Sequence, residues 1–159
     1  MMNVEQAMQQ RHSVRAFLPR TVDAALVRDL LAQAGQAASG GNLQPWRVIA
    51  LTGESLQGLR QAMPAATPNS DPPLVYPPQL WEPYRSRRFD NGEDLYRSLG
   101  MGREDRNGRL LQLARNTHMF GAPVGVFVAV ESRMLHAQWV DLGIYLQSLM
   151  LLATGKGLA

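Results

Sequence analysis

Two short stretches of this 159-residue chain gather residue types that bind ligands more readily than they pack cores. The first is "RHSVR", Arg11 to Arg15. If this segment is extended, alternation sets Arg11, Ser13 and Arg15 on one side and His12 and Val14 on the other. Two guanidinium forks and a hydroxyl on one spot suit a dianionic phosphate, with each charge-assisted bond contributing about 1.5–3 kcal/mol where water is excluded. The plainer reading is that the arginines serve the end of a preceding helix, where cations meet the negative pole of its dipole. The second stretch is "SGGNLQPW", Ser39 to Trp46. Gly40 and Gly41 permit positive φ and close approach of backbone to a flat ligand, while Asn42 and Gln44 each offer a paired donor and acceptor. A heterocycle with an amide-like edge fits such a loop. A simple helix stop, with glycine closing the helix and proline opening a strand, fits it too.

These stretches need elements to hold them. Residues 3–11 read as a short amphipathic helix with Val4, Ala7 and Met8 on one side. From Asp23 to Gln36, Leu26, Val27, Leu30, Leu31 and Ala34 recur at helical spacing, with Thr21 or Asp23 available as the cap. "WRVIALT" is a strand between Pro45 and Gly53, and "SLQGLRQAM" a helix. "PAATPNSDPPLVYPP" is too rich in proline for regular structure and reads as a long loop or lid. Residues 81–117 hold eight arginines among interleaved acids and form one or two surface helices broken near Gly100 and Gly102. "APVGVFVAVE" reads as a buried strand. "HAQWVDLGIYLQSLMLLATGKG" reads as a central core helix, with Trp139, Leu142, Tyr145, Leu146, Leu149, Met150 and Ala153 in register. No internal repeat is visible, and two strands are few for a domain of this size.

Composition narrows the chemistry. The chain has no cysteine, which removes disulfides, thiol catalysis and cysteine-based metal centres. His12, His118 and His136 are far apart and show no metal-ligand spacing, so no metal is expected. Net charge is only +3, yet fifteen of the sixteen basic residues are arginine, the side chain suited to forked recognition of phosphate and carboxylate. No apolar run is long enough to cross a bilayer, and the polar start lacks a signal peptide's apolar segment, so a cytoplasmic protein with no membrane partner is expected.

Taken together, the motifs resemble the FMN-dependent nitroreductase family. "RHSVRAF" and "ASGGNLQPWRV" carry the resemblance first, and "LYRSLGMGREDRNGR", "RNTHMFGAPVGVFVAVE" and "WVDLGIYLQSLMLLATGKGL" are similar to its nitrobenzoate-reductase-like branch. The likeness runs over nearly the whole chain. It implies an α+β fold with a central, mostly antiparallel sheet flanked by helices. It also implies an interlocked homodimer in which each FMN lies at the subunit interface.

Residue by residue, the resemblance assigns Arg11 and Ser13 to the phosphate, with His12 beside the phosphate and ribityl chain. Arg15 matches a basic position at the flavin N1 and C2 carbonyl edge, where its charge favours the anion that reduced flavin carries. Ser39, Gly40 and Asn42 match positions that cover the ring from the partner subunit, and Asn116 a position near the ring's pyrimidine edge. Family members often have proline where this chain has Ala38 and serine where it has Gly40, so a hydroxyl contact is absent here while the backbone contact persists.

The implied activity is hydride transfer from NAD(P)H through flavin N5 to nitroaromatic or quinone-like acceptors. The flavin carries that chemistry and no protein acid or base is assigned. The whole of 1–159 then forms one FMN-binding domain, in which 64–117 shapes the acceptor pocket and Arg88 or Arg97 attracts an aromatic carboxylate. Family members continue past the helix that closes with "GKGL", so further strands and phosphate-binding residues are expected beyond Ala159. Two other functions compete: a non-catalytic flavin-binding or dimerisation module of the same descent, and an anion or nucleic-acid binder. The acids interleaved at 90–105 argue against a continuous phosphate track, so no nucleic-acid partner is expected.

Overall fold

The computed structural model describes residues 2–66 and 74–159, so part of the proline-rich stretch, 67–73, lies outside the described residues. The chain forms two compact units, Met1–Leu59 with Met119–Ala159, and Arg60–His118.

The first unit begins with α1, Val4–Gln10, closed by a capping box in which Asn3 Oδ1 accepts from Gln6 N at 2.8 Å and Asn3 N donates to Gln6 Oε1 at 3.0 Å. The chain then runs extended to α2, Ala24–Ala34, where Asp23 Oδ1 accepts from Ala25 N at 2.9 Å. Strand β1, Trp46–Thr52, pairs antiparallel with β2, Val124–Val130, in a register that sets Ile49 opposite Phe127. Helix α3, Gly53–Ala62, follows β1 without a linker because Gly53 takes φ 51° and reverses the chain at once. The last helix, α6, His136–Gly155, packs against α1, α2 and β2.

The helix and strand positions match the expectations from spacing, and Val27, Leu30 and Ala34 form the buried stripe of α2. Tyr145, Leu142 and Leu56 complete the centre of the core. Leu56 lies so close to β2 that a Cβ at Gly125 would stand 2.8 Å from Leu56 Cδ1 and 2.9 Å from Met119 Sδ.

Burial differs from expectation in three places. β2 is not a buried strand: Val126 and Phe127, neighbours that point to opposite faces of the two-stranded sheet, are both exposed. On α6 the expected core residues separate, with Leu142 and Tyr145 buried but Trp139, Leu146 and Met150 exposed. On α1 only Ala7 is buried, while Val4 and Met8 face outward. A seven-residue helix presents too narrow a stripe for all three.

The second unit contains α4, Tyr84–Ser98, and α5, Arg106–Ala114, divided by the Gly100 turn at φ 70° as the glycine spacing predicts. α4 has no buried residue and is a solvated helical face. Glu93 fastens this unit: Arg109 grips it with both terminal nitrogens at 2.7 and 3.3 Å, and Arg103 Nε reaches it at 3.0 Å. Arg109 also lies over the Tyr96 ring at 4.2 Å and donates from Nε to Gly102 O at 2.9 Å. The hydrogen bonds from the two guanidinium groups, Arg109 first, hold the Glu93 carboxyl down to about 2.

Candidate functional site

The segment Arg11–Arg15 leaves α1 without joining a sheet. Arg11 ends the helix in an extended conformation, its N–H donating to Ala7 O at 2.9 Å. Beyond it, the His12 ring Nδ1 pairs with Gln10 O at 2.9 Å and Arg15 Nη1 donates to Ser13 O at 3.1 Å. No strand ladder fixes the pleat, so the strict alternation expected for this segment is lost. Arg11, His12, Ser13 and Val14 all line one groove, and Arg15 does not.

That groove has a volume of about 680 Å³ and lies wholly within the first unit. Its apolar walls come from α2 (Val27, Leu30), the start of β2 (Val124, Val126) and α6 (Leu149, Met150). Among the described residues, its charged side chains are Arg11 and Arg20, and none of its lining side chains is acidic. Among the described residues, the side chains of Arg11 and Ser13 have no hydrogen-bond partner. A half-buried guanidinium and a free hydroxyl beside apolar walls are groups chemically suited to an anion.

The second stretch is a strained turn. Gly35 closes α2, its N–H donating to Leu31 O at 3.1 Å, and Ser39 is extended before a single 3-10 turn over Gly40–Asn42. Gly41, Asn42 and Gln44 take φ of 58°, 55° and 47°, so two non-glycine residues occupy the left-handed region within four positions. Ser39 Oγ accepts from Gln44 N at 3.0 Å, and Asp141 Oδ1 of α6 accepts from Gly40 N at 3.2 Å. The side chains of Asn42 and Gln44 are exposed and make no hydrogen bond among the described residues, leaving both amide edges available.

Ser39, Gly40 and Asn42 are thus brought together on one loop, and Arg11, His12 and Ser13 in one groove. The loop residues do not line that groove. Asn116 belongs to the second unit, where its Nδ2 donates to Leu113 O at 2.7 Å. In the same unit Arg97 pairs with Asp94 at 2.7 Å, and Arg88 stands over the Tyr76 ring at 4.4 Å.

Helical spacing places Tyr145 in the core but gives Asp141 no role. In the structure both hold the amide loop. The Tyr145 hydroxyl donates to Leu31 O at 3.3 Å, and its ring stacks on Trp46 at 5.0 Å; burial pushes its hydroxyl pKa up. The signal available in the sequence was a lone acid within a twenty-residue, otherwise uncharged helix.

Comparison with known proteins identifies the fold and the family. Residues 8–159 match the model of the nitroreductase family. The chain is 36% identical over 151 residues to a 4-nitrobenzoate reductase of Pseudomonas putida, covering 94% of this chain and 66% of that protein. It is 33% identical over 160 aligned positions to a nitrobenzene nitroreductase of Ectopseudomonas oleovorans, covering 98% of this chain and 70% of that one. The chain therefore spans about two thirds of the length of these curated relatives. Among solved structures, the FMN and NADPH-dependent nitroreductase NfnB of Sphigopyxis sp. strain HMH superposes with a TM-score of 0.91 at 42% identity, covering 98% of this chain and 72% of that chain. NfnB of Mycobacterium smegmatis, solved in complex with NADPH, superposes with a TM-score of 0.86 at 29% identity, covering 96% of this chain and 70% of that chain. The small antiparallel sheet flanked by helices superposes on solved nitroreductases, residues 8–159 match the family's model, and the chain belongs to the nitroreductase family.

Proposed function

We propose that this chain forms an FMN-dependent oxidoreductase that takes hydride from NAD(P)H and passes it to nitroaromatic or quinone-like acceptors. The observation that carries the reading is the groove with Arg11 and Ser13 unengaged and no acidic side chain on its walls, on the same chain as a turn that presents the free amides of Asn42 and Gln44. These residues fit a flavin mononucleotide, which is a dianionic phosphate at one end and a flat ring with amide-like edges at the other. The names of similar proteins support the acceptor class, nitrobenzoate and nitrobenzene, and two similar structures support NADPH.

When bound, FMN supplies hydride exchange with nicotinamide and acceptor in turn. The chain's own residues bind and orient it. Arg11 and Ser13 hold the phosphate, with His12 beside it. Arg15 presents positive charge to the ring's N1 and C2 edge. Ser39, Gly40 and Asn42 cover the ring of the partner subunit's cofactor.

That composite site requires a homodimer, and three observations support one. The loop residues do not line the groove that holds Arg11 and Ser13. α6 exposes Trp139, Val140, Ile144 and Met150 along one helical face. β2 exposes Val126 and Phe127. Apolar surface of this kind marks a protein interface.

Acceptor preference we assign to 64–117, whose exposed Tyr76, Trp81, Tyr84 and Phe89 lie among arginines and suit flat anionic aromatics. A cytoplasmic location, where reduced nicotinamide is at hand, completes the reading.

The test is spectroscopic. Purified protein mixed with FMN and freed of excess cofactor is expected to stay yellow, to bleach with NADPH or NADH in anaerobic buffer, and to regain colour with 4-nitrobenzoate. Protein that retains no FMN, or whose FMN neither nucleotide bleaches, would overturn it.

A further inference from the structure

We infer that Asp141 is the positioning residue of the amide loop: its buried carboxylate fixes the Gly40 N–H and with it the left-handed turn that carries Asn42. Its functional meaning rests on the FMN reading above; its geometry does not.

Asp141 is only 6% exposed, yet the partner of its side chain among the described residues is the backbone N–H of Gly40, 101 residues away in sequence. Oδ2 is buried with no partner among the described residues, and a Cβ at Gly40 would stand 3.9 Å from it. A carboxylate that merely packed in the core would be replaceable by leucine, since leaving a buried acceptor unmade is unfavourable. Here the acid stands where the loop backbone closes over α6.

One helical turn further along α6, Tyr145 binds Leu31 O in the last turn of α2 and stacks on Trp46 at the start of β1. Two side chains at i and i+4 on one helix face therefore hold the loop at its entry, middle and exit. Only the middle hold bears on the turn itself. Left-handed φ at Asn42 and Gln44 persists where surrounding contacts over-determine it; beside the turn's own backbone bonds, Asn42 N to Ser39 O at 3.0 Å and Leu43 N to Gly40 O at 3.2 Å, the side-chain bonds are Gln44 N to Ser39 Oγ and Gly40 N to Asp141 Oδ1. Without Asp141 the turn keeps one side-chain brace and loses its tether to the core. Asn42 then samples many orientations instead of one.

Three variants separate positioning from packing. Asp141→Leu deletes the acceptor, and Asp141→Asn keeps an oxygen for Gly40 N. Gly40→Pro deletes the donor from the loop side. The backbone angles admit that proline, because Gly40 opens the 3-10 turn without positive φ and Ser39 is already extended at φ −145°, ψ 147°, but its Cδ stands where the N–H met Asp141 Oδ1, so its effect is read beside the double variant, which removes that carboxylate.

In cofactor-free protein, amide exchange at Asn42, Leu43 and Gln44 is expected to quicken about tenfold or more in Asp141→Leu and Gly40→Pro, and less than about threefold in Asp141→Asn. The double variant Asp141→Leu/Gly40→Pro should exchange no faster than the faster single one, because both remove the same bond. Dissociation constants for FMN and riboflavin should rise together and in that order, since the loop touches the ring and not the phosphate. Unchanged loop exchange in Asp141→Leu overturns the inference, as does an additive double variant. If Asp141→Leu does not fold, Asp141→Ala decides by the same exchange readout. If the wild-type protein binds no FMN, the functional reading fails while the exchange measurements still judge the role of Asp141.

Discussion

Replacing Arg11 with alanine isolates the phosphate contact, because the structure separates what Arg11 does for the fold from what it offers a ligand. Its backbone N–H closes α1 on Ala7 O at 2.9 Å, and alanine preserves that bond and the extended φ, ψ of −63° and 122°. The guanidinium has no partner among the described residues. Removing it should change unfolding free energy by no more than about 0.5 kcal/mol. Toward a phosphate the same group makes a charge-assisted bond whose range is about 1.5–3 kcal/mol. Arg11 is half-buried rather than sealed, so solvent screening sets the lower end, about 1.5 kcal/mol or roughly a tenfold change in affinity. Quenching of flavin fluorescence gives both constants at one ionic strength. The FMN constant should rise about tenfold and the riboflavin constant less than about twofold, because only FMN carries the charge. Raising salt toward 1 M, where the screening length is about 3 Å, should shrink the wild-type preference for FMN toward that of the variant. Equal losses for FMN and riboflavin would refute the assignment.

Arg15→Gln is expected to lower the flavin midpoint potential with little loss of FMN, by a scale of about 30 mV, or about 1.4 kcal/mol for a two-electron couple; an unchanged potential in FMN-loaded variant removes Arg15 from this role. At FMN concentrations too low to load either variant, Arg11→Ala and Asn42→Ala chains, each impaired alone, should regain activity when mixed and refolded, since a hybrid dimer restores one intact composite site. Proven subunit exchange without recovery would place both residues in one subunit's site. Glu93 titrates at about 2 in the folded chain against 4.5 ordinarily, so its ion pairs stabilise the second unit fully above about pH 4.5 and lose that effect as pH falls toward 2. The denaturant midpoint of wild type should exceed that of Glu93→Gln at neutral pH, and the gap should close below about pH 4.5. A gap unchanged down to about pH 3 would show that the carboxylate is not the source.

Local order was legible in the sequence wherever a local rule decides it. Asp23 with Ala25 is a cap made by neighbours in sequence, and α2, β1 and the break at Gly100 follow from periodicity and glycine position. The two stretches rich in ligand-binding groups were legible for a similar reason: guanidinium, hydroxyl and amide groups are chemistry that side chains carry wherever they fold. Burial was not legible, because hydrophobicity says that Trp139, Met150 and Phe127 seek cover without saying whether this chain provides it. The pleat at Arg11–Arg15 was misjudged because alternation needs a strand partner, and that segment has none. Asp141 lay outside local reasoning altogether. Its partner is 101 residues away, and only the packing of α6 against the 3-10 turn sets a carboxylate 3.2 Å from Gly40 N. Residue type determined which groups of this protein can meet an anion or an amide edge; tertiary structure decided which of them are held in place, because a hydrogen bond between distant segments exists only once the chain between them has folded.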